Sequence, residues 1–500
     1  MNKKVLIFTS MLFLVACNEQ RSDNSTSSSL ATMPKLKYER NIPSDNFKSY
    51  EGIEKTFKTF PNFNVESPGL EYELSTDGTY YIVSASKTYS TPDLVIPSLH
   101  EGLPVKKIKN DGFSYKTWLR SAYVPASIEE VGAGAFNGSG LKELYWDAKN
   151  VDDFNGRNWV FLPSFSTTPQ SMDVYFGPNV ESIPARMFFP LSTNPNSIPM
   201  VKNIYFSVDS QLKSIGDYAF YRLDAYSNIN LPDSLETIGQ YAFYGNKLLE
   251  LTLPESLKSI GDYAFSFTKA TNIKFNDQLE TIGQYAFFNA ANLESVDLSN
   301  THIEAISLGA FMDCEVLSHL RLGNSIKKVA SRAFKNTNMS ILDLPLNVEV
   351  IEGEAFANCA NLNYLKLNKN LKDIGASAFA NALNMKRIIV ESEKLNDFMA
   401  NNHIFDNLGK NFTNLDVVIL GNVNYVPKRM LLNSSDPTLS PNIKRLIIEN
   451  GVNEIGENAF FDLEISCVAF IGNNEQLNNL NVGNYNGVLN TITCYEKEGA

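Results

Sequence analysis

The chain has 500 residues, 43% hydrophobic and 20% charged, which excludes wholesale disorder and is too long for one ordinary globular core. Lys and Arg number 43 against 55 Asp and Glu, and the net charge of −12 argues against a nucleic-acid partner, which needs clustered positive charge. Four histidines and five cysteines leave little material for a zinc centre or a disulfide-stapled scaffold.

Lys3 and Lys4 precede a mostly apolar run over residues 5–16. That run is too short to span a bilayer, which takes roughly 20 residues. Charge, a short apolar run and a small residue before a break predict a signal peptide over residues 1–16. The run ends Leu14, Val15, Ala16, Cys17, which resembles the lipobox of bacterial lipoproteins. The resemblance implies cleavage before Cys17 and lipidation of that cysteine. Its acyl chains would hold the protein to a membrane at about 0.8 kcal/mol per buried CH₂. Residues 18–32 are rich in Ser, Asn and Thr and cannot bury apolar surface. Residues 17–67 are expected to form a tether and an irregular N-terminal segment. Glu19 and Asp23 look like the acidic export tags of some surface lipoproteins, which implies the exposed face of the outer membrane.

Next comes an alternating stretch. Leu70, Tyr72 and Leu74 alternate, Asp77-Gly78 is a hairpin signal, and Tyr81 and Val83 resume the alternation. Residues 68–105 are expected to form an N-terminal β cap.

Residues 106–464 repeat one unit. Residues 235–243 read LETIGQYAF, residues 257–265 LKSIGDYAF and residues 279–287 LETIGQYAF. Phe220, Phe243, Phe265, Phe287, Phe311, Phe334, Phe356 and Phe379 recur at a mean spacing of about 23. Phe113 and Phe136 extend the series backwards and Phe460 forwards. A unit this short cannot bury a core alone, so it is one coil of a stacked solenoid. Patterns such as Leu293, Val296 and Leu298 predict a short strand in each coil, paired in parallel about 4.8 Å apart. Gly132, Gly216, Gly239, Gly261, Gly283, Gly375 and Gly456 are expected to supply positive φ at a corner.

The motif LPxSLxxIGxxAF stands intact at residues 231–243 and 253–265. It resembles the BspA-like leucine-rich repeat family. The resemblance implies a β-rich leucine-rich-repeat solenoid (α/β repeat class) on a bacterial cell surface, with adhesion or host-protein binding as the usual role. The repeat itself is a general scaffold and specifies no ligand.

Two blocks break the beat. Phe136 to Phe188 and Phe379 to Leu431 each span 52 residues, with Phe161 and Phe405 between. Each is followed by an over-long, Pro-containing coil. Either a duplicated block carried its long coils along, or two loops project from one edge to bind. Residues 465–500 are expected to cap the far end, where Cys467 and Cys494 could pair in an oxidising envelope.

No GxSxG, HExxH, Walker loop or CxxC occurs. Cys314 and Cys359 follow the anchoring Phe by three residues and read as small interior residues. No catalytic residue, metal or cofactor is therefore expected. The candidate ligand contacts are residues that alternate with inward apolar ones: Tyr145, Tyr175 and Tyr205 at one position of successive strands, then His319, Arg321 and Tyr364. A tyrosine row suits protein or glycan contact, although tyrosine also favours exposed strand positions. The expected function is a non-enzymatic, surface-anchored binding or adhesion protein with a protein or matrix ligand. The alternative is a glycan-capture lipoprotein of a nutrient-uptake system.

Overall fold

The computed structural model describes Leu14–Val15 and residues 57–490, apart from residues 60, 156–158, 162–170, 191–200, 224–228, 250, 400–401, 407–414, 432–441, 462 and 473. The chain divides into an N-terminal unit, residues 47–326, and a C-terminal unit, residues 327–500 with 1–46.

Both units are built from the same coil. Within each unit the leucine positions of the coils form strands that pair in parallel with those of neighbouring coils, in several sheets. In the N-terminal unit Asp93–Val95, Ser121–Val124, Glu143–Trp146, Met172–Phe176 and Val201–Phe206 make one sheet in chain order. In the C-terminal unit Ile341–Asp343, Tyr364–Leu367, Arg387–Val390, Leu415–Ile419, Asn442–Glu449 and Val468–Ile471 do the same. Leu14–Val15 pairs antiparallel with the last of these. The sequence predicts one strand per coil, and the structure adds a second. Ser214–Ile215, Thr237–Ile238, Ser259–Ile260 and Thr281–Ile282 pair in parallel at the residues just before the recurring glycine. Among the described residues the α-helix is confined to Asn474–Asn478, so turns rather than helices close the coils.

The anchoring phenylalanines stack through the interior. Phe243 and Phe265 lie 5.2 Å apart, Phe265 and Phe287 5.5 Å, and Phe356 and Phe379 5.5 Å, stacked with their planes nearly parallel. Phe161 and Phe405 take regular places in this ladder, 5.6 Å from Phe136 and Phe379 respectively. Each 52-residue block is thus two coils. The loop residues 191–200 and 432–441 lie outside the described residues.

The glycine expectation fails. None of the seven recurring glycines has positive φ. The left-handed residue is instead the one two places before the Phe, with φ of 57° at Tyr218, 55° at Tyr241 and Tyr263, and 54° at Tyr285. Its N–H donates to the next coil, Tyr241 to Asp262 O at 2.8 Å and Tyr263 to Gln284 O at 2.9 Å. Phe243 then donates to Ala264 O at 2.9 Å and Phe265 to Ala286 O at 2.8 Å, so this ladder fixes the conformation whatever the side chain. The glycine serves close approach. A Cβ on Gly261 would come within 2.6 Å of Gln240 N in the preceding coil.

At the N-terminal end Leu70–Leu74 pairs antiparallel with Tyr81–Ala85, which pairs in parallel with Leu103–Ile108. Cys314 and Cys359 are buried free thiols, and burial pushes them up to about 12 and about 11. Cys467 is disulfide-bonded, whereas Cys494 and Cys17 lie outside the described residues, as does the expected leader and tether up to residue 56 apart from Leu14–Val15.

Candidate functional site: two aromatic faces of the N-terminal unit

Period-2 geometry puts two rows on the outward face of the strand sheet in the N-terminal unit. The first is Asp93, Ser121, Glu143, Asp173 and Asn203, in register. The second, two residues on, is Tyr123, Tyr145, Tyr175 and Tyr205. Tyr145 stacks on Tyr175 at 4.7 Å and Tyr175 on Tyr205 at 5.0 Å. Tyr145 Oη donates to Glu143 Oε2 at 3.2 Å, and Asn203 Nδ2 donates to Asp173 Oδ1 at 2.8 Å. Burial pushes Tyr123 and Tyr175 up to about 12 and Tyr145 higher still, with neighbouring carboxylates adding to the effect.

The row is not open, contrary to expectation. A segment of the expected tether lies over it. Phe63 stacks on Tyr123 at 4.4 Å and meets Tyr145 at 5.0 Å. Lys58 Nζ stands 3.7 Å from the Tyr205 ring centroid and 5.4 Å from that of Tyr175. The strands deliver four rings in register, and a flat apolar strip of that kind attracts the nearest chain able to cover it.

The other candidates do not join this site. Arg321 pairs with Asp297 in the adjacent strand (Nη1 to Oδ2, 3.6 Å), and His319 Nδ1 lies 2.9 Å from Ser318 Oγ. Tyr364 belongs to the other unit and is a correction. It is 2% exposed, clustered with Ile389, Val418, Ile447 and Ala469. Burial pushes its phenol up to about 12. Strands such as Arg387–Val390 and Leu415–Ile419 carry apolar residues on both faces. In such strands alternation does not separate inside from outside.

The sequence reading missed a second aromatic face. The left-handed turn residues point away from the Phe ladder and form their own column. Tyr218, Tyr241, Tyr263 and Tyr285 stack at 4.8, 4.7 and 5.0 Å, with interplanar angles of 9°, 6° and 17°. Arg186 lies over the first ring at 5.3 Å. A parallel column runs Phe189, Tyr221, Tyr244, Phe267 and Phe288, in steps of 5.4, 5.0, 5.3 and 5.3 Å. These rings are partly exposed, Phe267 by 37%. The column ends at Gly309, the equivalent residue of the next coil. Its φ is +59°, and a Cβ there would collide with the Tyr285 ring at 2.3 Å.

Repeats of this spacing, two strands per coil and a stacked Phe ladder are what a family comparison can test. The model for the BspA type leucine rich repeat region (6 copies) matches residues 90–205, 200–314, 292–411 and 401–486. The chain belongs to the BspA-type leucine-rich repeat family. Solved structures with a similar fold include a leucine-rich repeat protein from Bacteroides ovatus, 20% identical, covering 83% of this chain and 91% of that one, with a TM-score of 0.45. The pneumococcal vaccine antigen PcpA is 17% identical over 88% of this chain and 100% of its own, with a TM-score of 0.37. A leucine rich cell surface protein from Faecalibacterium prausnitzii is 18% identical over 84% and 98%, with a TM-score of 0.27. No curated protein matches.

Within a BspA-type coil the missed signal was available. The Tyr of IGQYAF and IGDYAF recurs with the same period as the Phe beside it, and only the Phe was assigned a place. Among the described residues no group of three His, Cys, Asp or Glu is placed to hold a metal.

Proposed function

We propose that this BspA-type protein is a non-enzymatic binding or adhesion protein that captures a protein ligand at the cell envelope, to which lipid on Cys17 holds it. The observation that carries the reading is the double aromatic column on the turn face. It presents large, rigid, amphipathic side chains, which suit protein contact at low entropy cost. The stacking also favours a protein over a glycan. Sugars need a free ring face, and here neighbouring rings occupy both faces of Tyr241 and Tyr263. Edges and hydroxyls remain, and these suit the mixed polar and apolar surface of a protein.

Probing a panel of purified extracellular-matrix proteins and a glycan array with the soluble protein tests this directly. A protein ligand is expected, and Tyr241→Ser with Tyr263→Ser should weaken it at least about tenfold, or ~1.4 kcal/mol. Glycan binding alone would overturn the reading. The anchor is tested separately: Cys17→Ser should move the protein out of the membrane fraction, and unchanged detergent partitioning would refute lipidation. Cleavage before Cys17 also removes Leu14–Val15 from the edge of Val468–Ile471.

A further inference from the structure

The strand face of the N-terminal unit already holds a peptide, and the peptide belongs to the chain itself. Residues 57–67 are tied by backbone bonds at their two ends. Ser67 N–H donates to Val95 O at 3.1 Å, its Oγ donates to Asp93 O at 2.9 Å and accepts from Val95 N–H at 2.8 Å. Lys58 N–H donates to Phe206 O at 3.3 Å, in a parallel bridge with Ser207. The segment therefore crosses all five strands of the sheet, from Asp93–Val95 to Val201–Phe206. Between its ends Phe63 supplies an aromatic contact, while Thr59, Pro61, Asn62, Asn64, Val65 and Glu66 are exposed. Most of its described side chains are exposed, and a segment of that kind belongs to the part of a fold that opens at low free energy.

The face beneath it has a definite chemistry. Tyr123 and Tyr145 take a ring, and Tyr175 and Tyr205 take a cation. At the cation end Asp173 stands two residues before Tyr175 in the same strand, with Glu143 one strand away, which makes that end negative and suits a basic side chain over an aromatic ring. We propose that this face is a binding site for an extended peptide of a partner protein, one that sets an aromatic side chain on Tyr123 and Tyr145 and a Lys or Arg on Tyr175 and Tyr205. Residues 57–66 are its intramolecular occupant, and a partner of the same chemistry competes with them. The proposal extends the binding function to a second face, and its readout does not involve the turn-face columns.

A fluorescent synthetic peptide with the sequence of residues 57–66, titrated by anisotropy against the full chain, tests this. The parent should bind it weakly, because its own segment competes. Lys58→Ala with Phe63→Ala should free the face and tighten peptide binding at least tenfold. Adding Tyr145→Ser and Tyr175→Ser to that variant should reverse the gain. A peptide with both anchor positions changed to Ala should bind the freed face at least tenfold more weakly. Should the double variant lose its cooperative melt, Lys58→Glu alone removes the cation and is expected to tighten peptide binding at least threefold. Peptide binding that does not improve in a folded anchor variant, or that ignores the tyrosines, overturns the proposal.

Discussion

One backbone position carries different chemistry in two runs of coils. Two residues before the anchoring Phe, four consecutive coils of the N-terminal unit place Tyr218, Tyr241, Tyr263 and Tyr285, flanked by coils that place Arg186 and Gly309, and the C-terminal unit places Arg332, Glu354 and Ser377. The conformation is the same, with φ of 58°, 57° and 56° in the second set. So is the backbone bond to the next coil: Glu354 N–H donates to Ala376 O at 2.9 Å and Ser377 N–H to His403 O at 3.0 Å. The coil thus fixes the backbone and leaves the side chain free. The first run uses the freedom for stacked rings. In the second, Arg332 and Glu354 use it for charge, with Arg332 Nη2 2.8 Å from Glu354 Oε1 and Lys335 bonded to Glu354 Oε2. Since the fold does not demand aromatics there, their concentration in the N-terminal unit is evidence about function.

The sharpest test of that equivalence is inside. If the coils differ only outside, Phe265→Ala and Phe356→Ala should cost the same, roughly 3–5 kcal/mol each, as buried aromatics truncated in a core. Denaturant melts followed by hydrogen exchange in each unit would measure this without assuming one transition for the chain. A cost below about 1 kcal/mol at either site would show that its ring is not part of a common interior.

The interior was legible because it repeats. Period 23 and the recurring Phe, Leu and Ile positions each have a single physical meaning, burial against the neighbouring coil. The faces were harder to read for three separate reasons. Tyr145, Tyr175 and Tyr205 were placed correctly in register, but a segment distant in sequence covers them, and no local pattern records a long-range contact. Tyr364 was misplaced because an alternating pattern assumes one wet face, and its sheet is apolar on both. The turn column was overlooked because its Tyr sits in a left-handed conformation rarely occupied by bulky residues, where Gly seemed the natural candidate.

The two outer columns should differ in what they contribute. Tyr263 stacks on both Tyr241 and Tyr285, and each such pair contributes ~0.5–1.5 kcal/mol, so Tyr263→Ser should cost about 1–3 kcal/mol. Glu354→Gln removes partly exposed ion pairs and should cost less than about 1 kcal/mol. Equal losses in melts of the two variants would erase the distinction between the columns. A Tyr263 cost near zero would leave ligand contact as the sole reason for the rings.

Acid and alkali should separate the columns with the smallest effects. The Arg332 and Lys335 side chains hold the Glu354 carboxyl down from its usual 4.5 to about 2. A carboxylate whose folded value is depressed stabilises the fold fully above its unfolded value, and that stabilisation disappears as pH falls from about 4.5 towards 2. Burial, followed by the neighbouring tyrosines and, at Tyr263, the Asp262 carboxylate, raises Tyr241 and Tyr263 above their usual 10.0. A phenol raised on folding stabilises fully below pH 10 and loses that contribution as pH rises through the folded value. The difference in stability between parent and Glu354→Gln should therefore shrink in acid, and added salt should shrink it at neutral pH. The difference between parent and Tyr263→Phe should stay flat from pH 4 to 9, and above 10 it should shift in favour of the Phe variant, which has no hydroxyl to ionise. Each comparison subtracts every other titrating group, so even a few tenths of a kcal/mol is assignable to one column. An acid-dependent Tyr263 difference would mean that the neutral ring draws stability from a carboxylate such as Asp262, and that the two columns are not the independent surfaces their chemistry implies.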